Sequence, residues 1–518
     1  MPDLTVDGRR AAVPEGATLL DAARSLGIQI PTLCVLEGHP HHTSCMVCLV
    51  EDTGSASLVP ACATPASGGQ AVLTDSARVR AARKATVELL LSEHRGDCEA
   101  PCLRACPAHL DIPRLIRRIV DGDTEGALAA VMERLPLAWS IELVCPAPCE
   151  RACRRKLVDS PEAIRSLVLS TTDPGLAGPA LFTPSSAPST GKSVAIVGAG
   201  PAGLAAAYFL ALEGHKCAVL DERNEPGGKL RQAVAEGRLA AAALDADISV
   251  LQRMGIELRA NQPVAGAAGV ERLRERHDAL ILATGSAKSL AGLLPSGIRV
   301  DARTGACSLP GVFAGGSATR TESSSLAVRA VASGRALAAG VGLFLAGLPV
   351  DPHGRRFDSH RGSIRKEDLS RMADLARSRA EGTKAEGIRS DRMEAVGAAA
   401  EGLRCLRCDC ARKESCGLRR AADGCGADAR GFPGEEESVF ERIAGAGGLA
   451  FEPGKCIKCG ICVRIAERGG DRPGLSFSAR GFDLRVRVPF GEDIGKALPS
   501  TAAECVKRCP TGALAWDR

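Results

Sequence analysis

Cysteine is the residue that most narrows what this chain can fold into. Of 518 residues, 22 are cysteine, and only Cys217 and Cys307 stand outside a group with short internal spacing. Spacings of the CxxC and CxxxC kind gather soft ligands for metal. A disulfide scaffold suits a small secreted chain, whereas this one is long and opens Met1-Pro2-Asp3 without a basic-then-apolar leader. The expected compartment is the reducing cytoplasm. With 66 Lys+Arg against 61 Asp+Glu, the formal charge of +5 gives no reason to expect nucleic acid or an acidic membrane as partner. Eleven Phe, two Trp and one Tyr are too few for base-stacking platforms. The longest apolar run, 336–350, is shorter than the roughly 20 residues a membrane span needs and reads as a buried helix, so no membrane insertion is expected.

The length predicts about three to five domains, and composition divides the chain further. Residues 1–75 alternate short apolar stretches with a helical stretch after Pro14-Glu15-Gly16 and read as a small mixed α/β unit. Residues 76–170 read as helical, with helices expected over 79–91 and around 112–131. A Pro-, Ser- and Thr-rich linker, too polar and broken to pack, is expected over 171–192. An α/β unit follows over 193–350, then a polar Arg-rich connection with helical potential over 351–403, and two further cysteine segments over 404–435 and 436–518.

Cys34, Cys45, Cys48 and Cys62, spaced C-x10-C-x2-C-x13-C, suit an iron-sulfur rhomb or a zinc ion equally. Their surroundings, Ile30-Pro31-Thr32-Leu33-Cys34, Ser44-Cys45-Met46-Val47-Cys48 and Val59-Pro60-Ala61-Cys62, resemble the [2Fe-2S] ferredoxin-type domain of the large iron-sulfur subunit of respiratory complex I and of related hydrogenase and formate dehydrogenase subunits. The resemblance implies one [2Fe-2S] cluster on these four cysteines.

Cys98, Cys102 and Cys106 run at CxxxC spacing into Pro107, and Cys145, Cys149 and Cys153 repeat it. These triplets resemble the double [4Fe-4S] domain of the glutamate synthase small subunit and of dihydropyrimidine dehydrogenase, in which clusters draw ligands from both triplets. Two cubanes need eight ligands and six cysteines are present. His94, four residues before Cys98, is a candidate seventh, matching a spacing in the His-Cys cluster of complex I. The family supplies a Gln or Glu after its last cysteine, and 164–168 offer none.

Ser193 to Val197 leads into Gly198-Ala199-Gly200-Pro201-Ala202-Gly203 and then an apolar helical stretch, 204–212. A second strand, 217–220, ends in Asp221, an acid placed to accept ribose hydroxyls. The glycines let backbone approach a pyrophosphate whose charge the helix N-terminus stabilises. Gly227-Gly228-Lys229 with Arg231, then Thr284-Gly285, then Gly316-Ser317 and Ala327 match the FAD-binding text of the glutamate synthase small subunit family, which implies FAD on these residues. Two departures stand out. The family's second Rossmann unit, for NAD(P)H, lies between the Ala-Thr-Gly strand and the closing motif, yet only 25 residues separate Gly285 from Gly311, fewer than the roughly 30 of one βαβ unit. Ser317 also stands where the family has an Asp that hydrogen-bonds the flavin. The nicotinamide domain is therefore expected to be missing.

Cys405, Cys408, Cys410 and Cys416 place four thiols within 12 residues, a density that suits Fe-S or zinc, with Cys425 nearby. Arg404-Cys405-Leu406-Arg407-Cys408 resembles the opening of a cluster segment in the same flavoprotein family. The final segment resembles bacterial ferredoxin in Cys456-Ile457-Lys458-Cys459-Gly460-Ile461-Cys462 and Cys505 to Cys509-Pro510. That likeness implies one [4Fe-4S] cluster on Cys456, Cys459, Cys462 and Cys509, with Ala466 and Glu467 where a second cluster's Cys-Pro would stand and Cys505 without a role.

The expected fold is multidomain α/β and α+β: a β-grasp [2Fe-2S] domain, a helical double-cluster domain, a Rossmann-like FAD domain and a ferredoxin-like C-terminal domain. The expected cofactors are FAD, one [2Fe-2S] and two to four [4Fe-4S] clusters. The expected function is that of an oxidoreductase's electron-transfer subunit, relaying electrons between flavin, clusters and a partner that carries the substrate or NAD(P)H site. The partners implied are other oxidoreductase subunits, of NAD(P)H-binding, hydrogenase or formate dehydrogenase type, or ferredoxin. A self-sufficient NAD(P)H- or ferredoxin-dependent reductase and a scaffold with an empty FAD fold stay open as alternatives.

Overall fold

The computed structural model describes residues 1–39, 43–172, 183–294, 298–319, 326–351, 356–360, 362–380, 395–432 and 440–516. The chain forms two compact units, one from Met1–Glu99, Arg355–Arg371 and Cys408–Arg518, the other from Ala100–Gly354 and Met372–Arg407. Segments far apart in sequence thus share a unit. It is a mixed α/β chain.

The first unit begins with strands β1 (Asp3–Val6) and β2 (Arg9–Ala12), a hairpin turning at Asp7-Gly8, both with left-handed φ of 50° and 75°. Alternation buries Leu4 and Val6 against Leu19, Leu20, Ala22 and Ala23 of helix α1 (Leu19–Ser25). α1 falls in the helical stretch expected after Pro14-Glu15-Gly16, and Thr18 and Asp21 close a capping box on it. With β3 (Leu49–Asp52), β4 (Ser57–Pro60) and β5 (Ala71–Leu73) the sheet runs β2-β1-β5-β3-β4, parallel only between β1 and β5. Helix α2 (Ala77–Ser92), capped by the Ser76 hydroxyl, follows.

The second unit opens with helices α3 (Pro101–Ala105), α4 (Ile112–Val120), α5 (Thr124–Met132), α6 (Ala138–Val144), α7 (Pro148–Ala152) and α8 (Ile164–Thr172). The single helical stretch expected around 112–131 is two helices: Gly122 takes φ 71° and the Asp123 carboxylate caps α5 through the Gly126 N–H at 2.8 Å. The linker expected to be unpacked begins inside α8, and 173–182 lie outside the described residues. Beyond them, Ala187 and Thr190 donate backbone hydrogen bonds to the Leu212 and Gly214 carbonyls at 2.8 and 3.0 Å, so this stretch is anchored despite its polarity.

Strands β6 (Ser193–Val197), β7 (Lys216–Leu220), β8 (Glu257–Arg259), β9 (Ala279–Leu282) and β10 (Val312–Ala314) form a parallel sheet ordered β10-β9-β6-β7-β8. Its crossovers include α9 (Pro201–Leu212), α10 (Lys229–Ala235), α11 (Ala241–Arg253), α12 (Gly266–Arg274) and α13 (Ala287–Leu293). Among the described residues this is the one sheet of its kind. The apolar run read as 336–350 belongs to α14 (Ala327–Leu345), which starts earlier and gives way to Gly347 at φ 70°. By length and composition alone α14 could cross a membrane. Here it lies flush on α9: a Cβ on Gly334 would collide with the Ala202 carbonyl and sit 2.9 Å from Ala205 Cβ. The polar connection contributes α15 (Lys366–Ala380) and α16 (Ala395–Leu403), with 381–394 outside the described residues.

The first unit is completed by α17 (Gly417–Cys425), β11 (Ile443–Ala444), β12 (Leu449–Phe451), α18 (Ile461–Gly469), the hairpin of β13 (Ser476–Ser478) and β14 (Arg485–Arg487), α19 (Ile494–Ala497), α20 (Ala502–Arg508) and β15 (Leu514–Trp516). β12 pairs antiparallel with both β11 and β15, bringing the two halves of this segment together.

Candidate functional site

In the first unit the loops before β3 and after β4 bring Cys34, Cys45, Cys48 and Cys62 together, none more than 2% exposed. Met46 turns the chain between two of them at φ 52°, and the Ala61 N–H bonds the Cys48 carbonyl at 3.1 Å. The thiols hydrogen-bond one another. Bonds from Cys45 and Cys62 pull Cys34 far below the ordinary thiol range, and the same contacts with burial push Cys45 and Cys62 far above it. Cys48 falls to about 7 through its bond with Cys62. Four thiols this crowded cannot all ionise without added positive charge, and an iron cluster supplies that charge while taking all four as thiolates. The residues fit such a group.

A small pocket in the same unit is lined by Cys456, Cys459, Cys462 and Cys509 together with Val486 and Leu514. Lys458 and Gly460, at φ 56° and 70°, curl the chain around it. The Thr511 hydroxyl donates to the Lys455 carbonyl at 2.8 Å and ties the Cys509 loop to the Cys456 loop. Burial pushes Cys456 up to about 11, Cys459 to about 12 and Cys462 well above the ordinary thiol range. Apolar walls with four convergent thiols fit a cluster that binds as protons leave. Cys505, on α20, is not part of this lining, and its thiol donates to the Cys462 carbonyl at 3.7 Å.

The Cys405 to Cys416 run crosses the boundary between the two units. Cys405 belongs to the second unit, and Cys408, Cys410 and Cys416 to the first. Cys98 joins the latter: the Cys410 N–H donates to the Cys98 carbonyl at 3.2 Å, and the Cys98 N–H to the Ser359 carbonyl at 2.9 Å. Burial raises Cys98 to about 12. The Cys416 Sγ accepts the Arg419 N–H at 3.4 Å, and the buried Arg419 guanidinium pairs with Glu99 at 2.7 Å. Half-buried His94 keeps Nδ1 enclosed without a hydrogen-bond partner, and burial, then the Lys455 charge, lowers its pKa to about 4.

In the second unit Cys106 ends α3, Cys145 ends α6 and Cys149 sits in α7, all buried in one apolar core against which Cys102 and Cys405 also pack. Ala147, at φ 48°, turns the chain between Cys145 and Cys149. Burial and the neighbouring Glu142 raise Cys145 to about 12 and Cys149 further. Glu142 itself, 6% exposed, is pushed up to about 8 by burial. Cys153 lies beside Glu162, a 2% exposed carboxyl with neither oxygen hydrogen-bonded, raised to about 8 by burial and then by Glu401. Neither acid falls in 164–168, the stretch where the resemblance places a Gln or Glu: Glu162 lies two residues before it and Glu142 precedes Cys145. Glu142 precedes Cys145 by three residues, a spacing that puts both on one helix face. Among the described residues no three His, Cys, Asp or Glu side chains converge on a single-ion site.

The glycine-rich loop joins β6 to α9. A Cβ on Gly198, at φ 108°, would collide with the Ala283 carbonyl, and one on Gly203 with the Gly198 carbonyl, whereas Gly200 faces open space. Pro201 and Ala202 open α9. The loop therefore packs tightly on its strand side and leaves the Gly200 face open. Asp221 accepts the Ala199 N–H at 2.6 Å and the Arg223 N–H at 2.9 Å, so its carboxylate braces the loop. Gly227 donates to the Ala199 carbonyl at 2.8 Å, and Gly228, at φ 54°, lets its loop touch Gly200. Lys229 starts α10, while Arg231 pairs with Asp245 at 2.5 Å and Glu225 at 3.3 Å. Thr284 and Gly285, at φ 77°, follow β9. The Gly316 N–H donates to Ser333 Oγ at 2.8 Å, Ser317 sits in the short turn Gly316–Ala318, and Ala327 begins α14.

Three family models match the chain: a 2Fe-2S iron-sulfur cluster binding domain over 2–77, the dihydropyrimidine dehydrogenase domain II with a 4Fe-4S cluster over 89–175, and an NAD(P)-binding Rossmann-like domain over 196–252. The chain is 38% identical over 207 residues to the NADP(+)-dependent formate dehydrogenase subunit beta of Moorella thermoacetica, covering 36% of this chain and 29% of that one. It is 37% identical over 192 residues to the NADPH-Fe(3+) oxidoreductase subunit beta of Geobacter sulfurreducens, covering 37% and 29%. It is 34% identical over 190 residues to the NAD-dependent dihydropyrimidine dehydrogenase subunit PreT of Escherichia coli, covering 36% and 46%. The chain thus spans less than half the length of these curated relatives. It combines a 2Fe-2S domain, a 4Fe-4S domain and a Rossmann-like domain.

Proposed function

We propose that this chain is an electron-transfer subunit of a cytoplasmic oxidoreductase complex, with one FAD, one [2Fe-2S] and two to four [4Fe-4S] clusters. Iron-sulfur clusters carry single electrons and a flavin exchanges one or two, so the set suits a relay between one- and two-electron partners. The observation that carries this reading is the pairing of convergent buried thiols with, among the described residues, one parallel dinucleotide-type sheet, and the 25 residues 286–310 are fewer than the roughly 30 of one βαβ unit. Hydride would then reach the complex through another subunit, of the NAD(P)H-binding, hydrogenase or formate dehydrogenase kind, or electrons through ferredoxin.

The assignments follow the residues. Cys34, Cys45, Cys48 and Cys62 hold the [2Fe-2S] cluster of a β-grasp domain over 1–75; Cys456, Cys459, Cys462 and Cys509 hold the [4Fe-4S] cluster of a ferredoxin-like domain over 436–518. In the second unit the candidate ligands are Cys102, Cys106, Cys145, Cys149, Cys153 and Cys405; in the first they are His94, Cys98, Cys408, Cys410 and Cys416. In the domain over 193–350, Gly198, Gly200 and Gly203 admit the pyrophosphate, the N-terminus of α9 stabilises its charge, and Asp221 braces the loop while keeping lone pairs for ribose.

The description of the Rossmann match as NAD(P)-binding favours a second reading, a reductase that takes nicotinamide on this same fold. Anaerobic purification separates the readings. The relay predicts a brown protein that releases FAD on denaturation and carries on the order of ten or more iron atoms per chain. A protein that binds NADPH in place of FAD would support the second reading, and a colourless, iron-free chain would overturn both.

A further inference from the structure

The proposed relay leaves open which clusters exchange electrons with each other. Chain order would send electrons from the Cys34 to Cys62 group to the next cysteines, Cys98 to Cys106. Packing inside the first unit says otherwise. Cys34 and Cys45 share one apolar core with Cys459 and Cys462, through Leu33, Leu36, Ile461 and Ile465. A Cβ on Gly417 would lie 3.1 Å from both Leu33 Cδ2 and the Pro510 carbonyl, so the Cys34 and Cys509 loops flank one glycine. Arg464 spans the gap. It lies on α18, two residues after Cys462 and 8% exposed; its guanidinium donates to the Cys34 carbonyl at 3.0 Å and, more weakly, to the Gly460 carbonyl at 3.4 Å.

A guanidinium enclosed in an apolar core costs several kcal/mol unless negative charge stands nearby. Clusters held by four thiolates supply it from both sides. We propose that the Cys456 to Cys509 cluster is the direct electron-exchange neighbour of the Cys34 to Cys62 cluster, and that Arg464 is the positioning residue between them. One electron leaves the reduced cluster and one arrives on the oxidised cluster; no bond forms or breaks and no proton moves. The charge of Arg464 favours the reduced, more negative state of both clusters and so raises both potentials.

The test rests on the proposed relay and uses the full chain reduced with dithionite under anaerobic conditions. Electron paramagnetic resonance should show the [2Fe-2S] signal relaxing faster once the potential is low enough to reduce the C-terminal cluster, with the enhancement lost in Cys509→Ala and kept in Cys145→Ala. Arg464→Leu should retain both signals but lower both midpoint potentials, with Arg464→Lys restoring them. A [2Fe-2S] signal whose relaxation ignores the state of the C-terminal cluster overturns the adjacency alone, and unchanged potentials in Arg464→Leu overturn the role of Arg464. Failure to see either signal overturns the relay as well.

Discussion

The carboxyl of Asp247 offers a quantitative check on how the helical cysteine segment is held to the dinucleotide fold. Asp247 lies on α11, 7% exposed, and accepts the Ser140 N–H and hydroxyl, at 2.8 and 2.6 Å, from α6, the helix that ends at Cys145. Burial lifts its pKa from 3.8 to about 7, against the lowering effect of the Ser140 and Trp139 hydrogen bonds. In that window the folded chain keeps a proton that the unfolded chain has released. Stability must therefore be fully present below the unfolded value and fall as pH rises through the folded one. Between about pH 5 and pH 8 the loss amounts to about 2 to 3 kcal/mol. Asp247→Asn keeps an acceptor for Ser140 but cannot ionise, so this part of the slope should vanish. Urea unfolding followed by Trp139 fluorescence in a Trp516→Phe background reads the effect at its source. Other titrating groups, Glu142 and Glu162 among them, act alike in both proteins and cancel in the difference. Parallel stability curves for the parent and Asp247→Asn across this range would refute the reasoning.

Tyr208, 1% exposed, donates its hydroxyl to the Met132 carbonyl at 2.9 Å. Tyr208→Phe should cost about 1 to 2 kcal/mol in the same unfolding assay, and a neutral result would mean that water serves that carbonyl. Gly203→Ala puts a Cβ into the Gly198 carbonyl; it should abolish flavin retention while iron content holds, and flavin retained at the parent level would count against the phosphate loop. Cys217→Ala and Cys307→Ala should leave iron, sulfide and paramagnetic signals unchanged, since both thiols lie outside the cysteine groups. Loss of iron in either variant would show a ligand set wider than the one assigned.

Features coded by neighbours in sequence were legible before the fold was seen. The helix after Pro14-Glu15-Gly16, the strand entering Gly198 to Gly203 and the two halves of the Cys456 to Cys509 group each depend on local spacing or a recurrent motif. The partition of the cysteines was not. Cys405 and Cys408 are three residues apart yet belong to different units, and Cys98 meets Cys410 across more than three hundred residues. Such groupings arise from long-range packing that spacing does not encode. Glu142 and Glu162 stayed hidden for a related reason, because burial, and not residue type, makes a carboxyl unusual. Asp221 was expected to accept ribose hydroxyls; its bond to the Ala199 amide depends on how the loop closes back over the end of β7.

The central claim is that the flavin communicates with iron-sulfur clusters and not with a nicotinamide bound on this chain. A reductive titration of the anaerobically purified 518-residue chain tests it most directly. The account predicts that dithionite bleaches flavin and clusters completely while NADH and NADPH leave the spectrum unchanged. Rapid, stoichiometric bleaching by either nucleotide alone would contradict it.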